Sequence, residues 1–435
     1  MNLPIFRIGP LAIDRGERVW FPLAVLSMSS FLVGMALLGV SRISGYFYLL
    51  SLVSGTPVLL RLDYRALAIP RVVIVYALFM AGFSVVCLVQ LASGRIDLSI
   101  FDYVSRMWAG LINGFFFLLL FRADRRSLFA FIGLVAASHA AVAIVTALAQ
   151  GVDFSNLWVT GNRAGGMTNP IPYSNMLLVS VGLTVIALAG AMSARRAAAD
   201  IATVALVMLA GLGAVLLTGT RGTMLAAPLM IVLVLYSYRN RFSRRAILGF
   251  AAGLVALAAA SVLAAWLAAP DQLMEAVERA GSDRLRMQLW SMSWPIFQDA
   301  PLLGHGLASV PHVFLELGLV ASEKSRLFFF NHMHNQYLDM LVKTGLVGTV
   351  LFYGPLATAV VAALTFVRVP GERVYGVAIL WIAGAYSTFG LTTSYFAHAN
   401  TILQFGVYLG MAIWLVPPGD RSLTMGGKPA NGVSS

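Results

Sequence analysis

Two histidines lie two residues apart in the segment Asn331–Tyr337, where a long polar insert meets an apolar helix predicted from about residue 338. A neutral imidazole can accept a proton from a hydroxyl, and the positive end of a helix dipole favours the neutral form. His334, at the expected helix N-terminus, is therefore a candidate general base. His332 is an alternative base, or a residue that orients its neighbour. Titratable groups at the mouth of a membrane helix are costly, so they indicate a functional site.

A metal site is the competing chemistry for these histidines. The two imidazoles could supply nitrogen ligands, and Asp339 lies five residues beyond His334. No cysteine, DxD motif or second carboxylate cluster accompanies them, although metal sites usually need three or more such ligands. We therefore expect a site that uses neither a metal nor another cofactor.

Arginines in turns of small residues could hold an anion beside the histidines. Arg221 lies in the turn Leu217–Gly222, where glycines on both sides leave backbone N–H groups open to an anion. Arg163 has similar neighbours in Gly161–Gly166 and is followed by Asn169. Guanidinium groups bind phosphate oxygens through paired hydrogen bonds, so two or three of them together would suit a pyrophosphate.

A predicted helix of the polar insert, from about 270 to 297, carries further arginines. Arg286 and Trp290 share one face of it because they are four residues apart. Arg284 lies beside them in the sequence. Arginines for a diphosphate and a base for a hydroxyl together suit group transfer from a lipid-linked diphosphate to a hydroxyl acceptor. No Gly-rich nucleotide-binding loop is present, as expected for a reaction outside the cytoplasm.

The elements that must position these residues are membrane helices. The chain is 59% hydrophobic and only 11% charged, with a mean hydropathy of +0.83. Apolar runs near 20 residues recur along it, long enough to cross a hydrocarbon core of about 30 Å. The sequence therefore predicts an all-α polytopic membrane protein with about twelve spans. These are 20–40, 44–60, 69–92, 104–121, 127–149, 174–194, 199–217, 223–238, 246–268, 338–366, 375–391 and 400–416.

The distribution of charge orients these spans. With the N-terminus in the cytoplasm, the cytoplasmic segments hold nineteen of the thirty basic and seven of the eighteen acidic residues, so they carry the whole net charge of +12. Such an excess is the positive-inside pattern, and it predicts that both termini are cytoplasmic. Topology and contact with anionic lipid heads account for the basic charge, so we expect membrane lipid and no nucleic acid as a partner.

The span pattern divides the chain into four parts. Residues 1–268 form the first nine spans, 269–337 form a mostly helical extracytoplasmic lid that carries catalytic residues, and 338–416 form the last three spans. Residues 417–435 are rich in Gly, Pro and Ser and are predicted to be a disordered cytoplasmic tail. A connection as long as the lid is usually functional or a small domain.

Several motifs together resemble the O-antigen ligase/polymerase family of bacterial envelope proteins. Each is weak alone, but their order, spacing and membrane setting are fairly specific. One departure is Thr220, where serine is commoner. The matching segments cover about 170–348 and are Asn169-Pro170, Thr218–Gly222, Arg286–Trp290, Asp299–Gly306, His334–Leu338 and Gly345–Gly348.

The resemblance implies an inverting, metal-independent glycosyltransferase in the bacterial inner membrane, with a periplasmic active site. Its donor would be a glycan on undecaprenyl diphosphate. The acceptor would be a sugar hydroxyl of the lipid A–core for a ligase of lipopolysaccharide assembly. Carried over by motif, His334 is the catalytic base and Arg221 and Arg286 bind the pyrophosphate. Arg163 is a further candidate for the pyrophosphate, and the supporting residues are Asn335, His332, Trp290, Asn169 and Tyr337.

Other activities of this site remain open. An O-antigen polymerase or a protein O-glycosyltransferase would use the same donor. We favour a ligase because the lid is one compact insert with interfacial aromatic residues, which suits an amphipathic glycolipid acceptor. A lipid-linked oligosaccharide flippase would explain the spans equally well, but it predicts ionisable residues within them. Lys343 is the main such residue, and we expect its side chain to snorkel towards the interface.

Overall fold

Helices make up nearly all of the computed structural model, which describes residues 7–8, 11–12, 20–37, 43–60, 71–94, 104–110, 112, 125–151, 170–191, 197–238, 284–306, 310–319, 332–369, 372–394 and 399–416. The strands in this part of the chain are two residues long, Arg7–Ile8 and Leu11–Ala12, and they pair antiparallel. Helices with both ends described are α1 Trp20–Leu37, α2 Ser44–Leu60, α3 Arg71–Ala92, α4 Arg125–Ala149, α5 Pro170–Ala191, α6 Ala197–Leu217, α7 Arg221–Met224, α8 Ala227–Tyr238, α9 Arg284–Asp299, α10 Val310–Glu316, α11 Gln336–Phe366, α12 Arg373–Gly390 and α13 Ala399–Trp414.

The predicted class, an all-α polytopic membrane protein, is confirmed. Among the described residues, four helical segments are long and apolar enough to cross a membrane, in α3, α4, α5 and α11. Shorter apolar helices lie within α6, α7–α8 and α13. Most of the described helices follow the predicted spans closely at both ends. The predicted span 223–238 is divided into α7 and α8, and of the predicted span 104–121 only residues 104–110 and 112 are described. The predicted span 246–268, the beginning of the lid at 269–283 and the tail 417–435 lie outside the described residues.

Helix α5 is at the centre of the membrane body. It contacts α4, α6, α8 and α12. In its most apolar 18-residue stretch, 78% of the residues are buried, against 33% in the corresponding stretches of α3 and α4. Gly182 makes close packing possible, because a Cβ there would collide with the indole of Trp381 on α12. The same indole N–H donates to the Val179 carbonyl at 2.9 Å. A small residue opposite a large one therefore joins α5 to α12 with the indole's donor satisfied.

Helix α11 is broken at Gly345, which the sequence did not predict. Gly345 has φ 63° and ψ −168°, a left-handed conformation that glycine adopts without the steric penalty of a side chain. A Cβ at this position would also collide with the carbonyl group of Leu302. The helix therefore consists of a short segment before Gly345 and a long one after it, and the turn at residues 300–306 packs against the break.

Hydrogen bonds from that turn satisfy backbone groups on both sides of the break. An interrupted membrane helix needs such partners because lipid offers none. The side-chain amide of Gln90 on α3 adds a donor to the Leu303 carbonyl at 2.5 Å and to the Lys343 carbonyl at 2.8 Å. The backbone bonds run from Leu346 N to Pro301 O at 2.8 Å, Val347 N to Leu302 O at 3.2 Å, His305 N to Val342 O at 3.0 Å, and Gly306 N to Lys343 O at 2.9 Å.

The lid has a small hydrophobic core of its own. Helices α9 and α10 contribute most of it, and Met333 and Val342 join from the histidine segment and from α11. Helix α10 ends in a turn in which Gly318 has φ 64° and Leu319 N–H donates to the Phe314 carbonyl. The core joins the lid helices to the beginning of α11.

Replacing Gly345 with alanine should destabilise the protein. The left-handed backbone and the collision with Leu302 together predict a loss on the order of 2 kcal/mol. The apparent Tm of the detergent-purified protein would measure it. Gly213→Ala is the matched control, because an added Cβ there meets nothing within 4 Å on α6. Equal Tm values for both variants would contradict the break at Gly345.

Candidate active site

Asn335 begins helix α11 as its N-cap. Its backbone is extended, with φ −148°, and its side-chain oxygen accepts from Tyr337 N–H at 3.0 Å and Leu338 N–H at 3.2 Å. Asparagine is among the best N-cap residues because it satisfies donors that the first helical turn leaves open. The predicted helix start beside the histidines is therefore present, and His334 is the residue just before the cap.

His334 has an unusual backbone conformation. Its φ is 51°, and among the described residues it is the one non-glycine residue with a positive φ. Such a conformation costs about 1–3 kcal/mol and persists only where surrounding contacts enforce it, which is common at functional sites. The ring of His334 lies against that of His332, with 4.2 Å between centroids and 57° between planes. The structure thus brings the two histidines into direct contact.

Met333, between the two histidines, anchors this segment. Its side chain is fully buried in the lid core. Its N–H donates to Asp339 Oδ1 at 3.0 Å, and its carbonyl accepts from Trp290 Nε1 at 2.9 Å. The predicted supporting residue Trp290 therefore holds the backbone next to His334, and sequence reasoning considered Asp339 only as a metal ligand.

The buried partner of Asp339 is Lys343. Their Nζ–Oδ2 distance is 2.9 Å, and the two side chains are 0% and 2% exposed. Ser394 Oγ also donates to Asp339 Oδ2. The prediction that the Lys343 side chain snorkels is therefore wrong, because a carboxylate one helical turn away lets it end inside the protein.

Arg221 is the first residue of the short helix α7, directly after the small-residue turn. Gly219 in that turn has φ 61°, and the Thr220 hydroxyl faces the Pro170 carbonyl at 3.5 Å. One turn further, Thr223 Oγ1 is 2.6 Å from Asn175 Oδ1 on α5. The turn is therefore fixed to the beginning of α5.

Residues 391–394, which follow α12, connect the arginine turn to the histidine segment. Gly222, next to Arg221, lies so close to Thr392 that a Cβ would collide with the threonine hydroxyl. The Asn335 amide donates to the Leu391 carbonyl at 3.3 Å, and Ser394 reaches Asp339. Sequence reasoning missed this segment, although a Thr-Thr-Ser run at the end of an apolar span was a visible signal.

Arg286 lies on α9, one turn before Trp290. Residues four apart share a helix face, so Arg286 is on the face that contacts the Met333 carbonyl. Its side chain is half-buried. The structure thus places Arg286 on the same face of α9 as Trp290, as the four-residue spacing predicted.

Tyr337 has a packing role in the first turn of α11: its hydroxyl donates to the Ser387 carbonyl at 2.8 Å, and its ring stacks on Tyr353 at 5.0 Å. Arg163 and Asn169 lie outside the described residues. In the part of the chain that the structure describes, no group of three His, Cys, Asp or Glu side chains could hold a metal ion.

A comparison with protein families matches residues 204–353 to the family described as O-Antigen ligase. Residues 204–353 are therefore similar to this family. The resemblance seen in the motifs is thereby confirmed, and the chain is related to membrane enzymes of the glycosyltransferase type. The matched segment contains Arg221, Arg286 and His334, the three residues that the motifs assign to catalysis and pyrophosphate binding. No curated protein matches the chain.

Two substitutions of Asn335 should distinguish its role as the N-cap of α11 from its hydrogen bond to the Leu391 carbonyl. Asn335→Ala removes both, so exchange of the Tyr337 and Leu338 amides should accelerate about fivefold, the equivalent of about 1 kcal/mol. Asn335→Asp keeps the cap acceptor and loses only the donor to Leu391, so these amides should remain protected. Hydrogen-exchange mass spectrometry measures both, and equal acceleration in the two variants would refute the cap.

Proposed function

We propose that the protein is an O-antigen ligase of lipopolysaccharide assembly. It transfers a glycan from undecaprenyl diphosphate to a sugar hydroxyl of the lipid A–core, on the periplasmic face of the bacterial inner membrane. Residues 269–337 act as the lid over the site, and both termini are cytoplasmic. The family match and the membrane fold support this proposal, and the charge distribution supports the orientation.

The main observation behind the proposal is that one segment, residues 391–394, contacts both the turn that contains Arg221 and the segment that contains His334. Residue 391 accepts a hydrogen bond from Asn335, and residue 392 packs against Gly222. The residues next to these contacts are His334 and Arg221. A base and an anion-binding arginine whose neighbours contact one common segment suit glycosyl transfer from a diphosphate.

In the proposed reaction the acceptor hydroxyl oxygen attacks the anomeric carbon of the donor. Its proton passes to the imidazole of His334, which acts as general base. The bond between the anomeric carbon and the diphosphate oxygen breaks as the new glycosidic bond forms. Undecaprenyl diphosphate leaves with the electron pair from the opposite face, so the anomeric configuration is inverted.

Arg221, Arg286 and Arg163 neutralise the charge that develops on the departing diphosphate. Fixed positive groups at a leaving group lower the barrier by several kcal/mol when each is oriented in advance. Guanidinium groups make two parallel bonds to phosphate oxygens, so they hold the leaving group without a metal. His332, in ring contact with His334, orients the base.

The exposed surface of the lid favours a ligase over a protein O-glycosyltransferase. On α9, Leu289, Met292 and Ile296 are buried in the lid core, while Met287 and Trp294 are 62% and 61% exposed. An exposed apolar surface on the lid suits an acceptor that is itself a lipid. Product analysis after incubation with purified lipid-linked glycan and lipid A–core separates ligation from polymerisation.

One observation favours a flippase instead. Asp339 and Lys343 form an ion pair inside a candidate membrane span, and a transporter could use such a pair. The reconstitution assay distinguishes the two activities. A flippase moves the intact lipid-linked glycan across the vesicle membrane, and a ligase forms a new glycosidic bond.

His334→Ala should abolish glycan transfer without loss of protein from the membrane, because no base remains at that position. We expect a rate reduction of roughly 100-fold or more, measured by reconstitution in excess chelator. His312→Ala is the matched control, since His312 is exposed on α10. Transfer by His334→Ala at the rate of this control would refute the assignment of the base.

Arg221→Lys and Arg286→Lys should each impair transfer, because lysine keeps the charge but loses the paired hydrogen bonds to phosphate. We expect losses of about tenfold or more in kcat/KM. Arg368→Lys, at an exposed arginine after α11, should leave transfer unchanged. Wild-type activity in both site variants would remove the pyrophosphate role.

A further inference from the structure

We infer that Asp339 is a positioning residue for His334. The inference rests on the proposed function, because it assigns a role in the transfer reaction. Its carboxylate would hold the backbone of the histidine segment through Met333, so that the imidazole of His334 meets the acceptor hydroxyl in the required geometry. Neither the family match nor the motifs assign a role to Asp339 or to its partner Lys343.

The carboxylate of Asp339 is fully buried and accepts three hydrogen bonds. Oδ1 accepts from Met333 N–H at 3.0 Å. Oδ2 accepts from Lys343 Nζ at 2.9 Å and from the Ser394 hydroxyl. A buried carboxylate is stable only when its charge is compensated and its oxygens are bonded. Lys343 supplies the charge, which leaves Oδ1 for the histidine segment.

The position of Met333 determines that of His334 because the two are adjacent and both backbone groups of Met333 are bonded. Asp339 takes its N–H, and Trp290 donates to its carbonyl. The left-handed φ of 51° at His334 needs such constraint, since an unrestrained histidine would leave that region. Loss of the Asp339 acceptor removes one of the two hydrogen bonds to the Met333 backbone described above.

A purely structural alternative is that Asp339 only neutralises Lys343. Buried ion pairs can often be replaced by apolar side chains with little loss of stability. On that alternative, every neutral pair that packs well would support the same transfer rate. The positioning role predicts instead that a neutral pair works only if residue 339 still accepts the hydrogen bond from Met333.

Two double variants distinguish these roles. Asp339→Asn with Lys343→Met removes both charges and keeps an Oδ1 acceptor for Met333 N–H. Asp339→Leu with Lys343→Met removes both charges and the acceptor, with a side chain of similar size. Each avoids an unpaired buried charge, which would destabilise the fold by itself. Their apparent Tm values establish that both are folded.

We expect the Asn–Met variant to transfer glycan at a rate near that of the wild type. The Leu–Met variant should show a kcat lower by roughly 100-fold, the effect of misplacing a catalytic group by about 1 Å, with KM for the donor unchanged. Hydrogen exchange at the Met333 amide gives a readout independent of activity. It should be slow in the wild type and the Asn–Met variant, and fast in the Leu–Met variant.

Equal kcat and equal exchange in the two double variants would overturn the positioning role. A wild-type protein that transfers no glycan, yet shows the expected exchange at Met333, would overturn the proposed function and leave the hydrogen bond established. Fast exchange at Met333 in an active wild type would overturn the positioning role alone.

Discussion

The interruption of helix α11 at Gly345 is the constraint on which the arrangement of the site depends. A membrane helix cannot leave backbone groups unbonded in lipid, where each costs several kcal/mol. Carbonyls before the break and N–H groups after it therefore need partners, and the turn at 300–306 and Gln90 provide them. These bonds fix the end of α9 to the membrane body. Trp290 on α9 can then reach the Met333 carbonyl, and the break thereby contributes to the position of His334.

The reason for the buried Asp339–Lys343 pair differs from the reason for the contacts at the Gly345 break. Burial of two charges gains little stability, whereas removal of one partner commonly costs 3–5 kcal/mol because the other is left unpaired. The pair is therefore better explained by geometry than by stability. Its carboxylate connects three parts of the chain, since it is bonded to Met333, to its own helix and to Ser394 beyond α12. An apolar pair in the same place would pack, but it would connect none of them.

Hydropathy predicted the membrane helices well because burial in lipid demands long apolar runs, and α3, α4 and α11 end within a few residues of the predicted spans. The four-residue spacing of Arg286 and Trp290 placed both on one helix face for a similarly local reason. The break at Gly345 could not be predicted, since a glycine inside an apolar run also suits an unbroken helix. Lys343 was misjudged because its environment depends on Asp339 and on the segment 391–394. That segment is distant in sequence and is recognised only once the helices are packed.

The contacts around the site also bear on how the membrane body can work. Several helix ends are joined by hydrogen bonds or close packing. Gln90 near the end of α3 donates to Lys343 on α11, and the turn after α6 faces Pro170 at the beginning of α5. The segment after α12 contacts both Gly222 and Asn335. These helix ends therefore meet on one side of the bundle, as alternating spans require. Alternating access would have to disturb such contacts, because the hydrogen bond from Gln90 to Lys343 joins the first half of the chain to the second. A transferase needs the opposite property, a base and an anion site that stay in place while the substrates change. The density of fixed polar contacts at this end of the bundle therefore favours glycosyl transfer over transport, even though an ion pair is buried within a span.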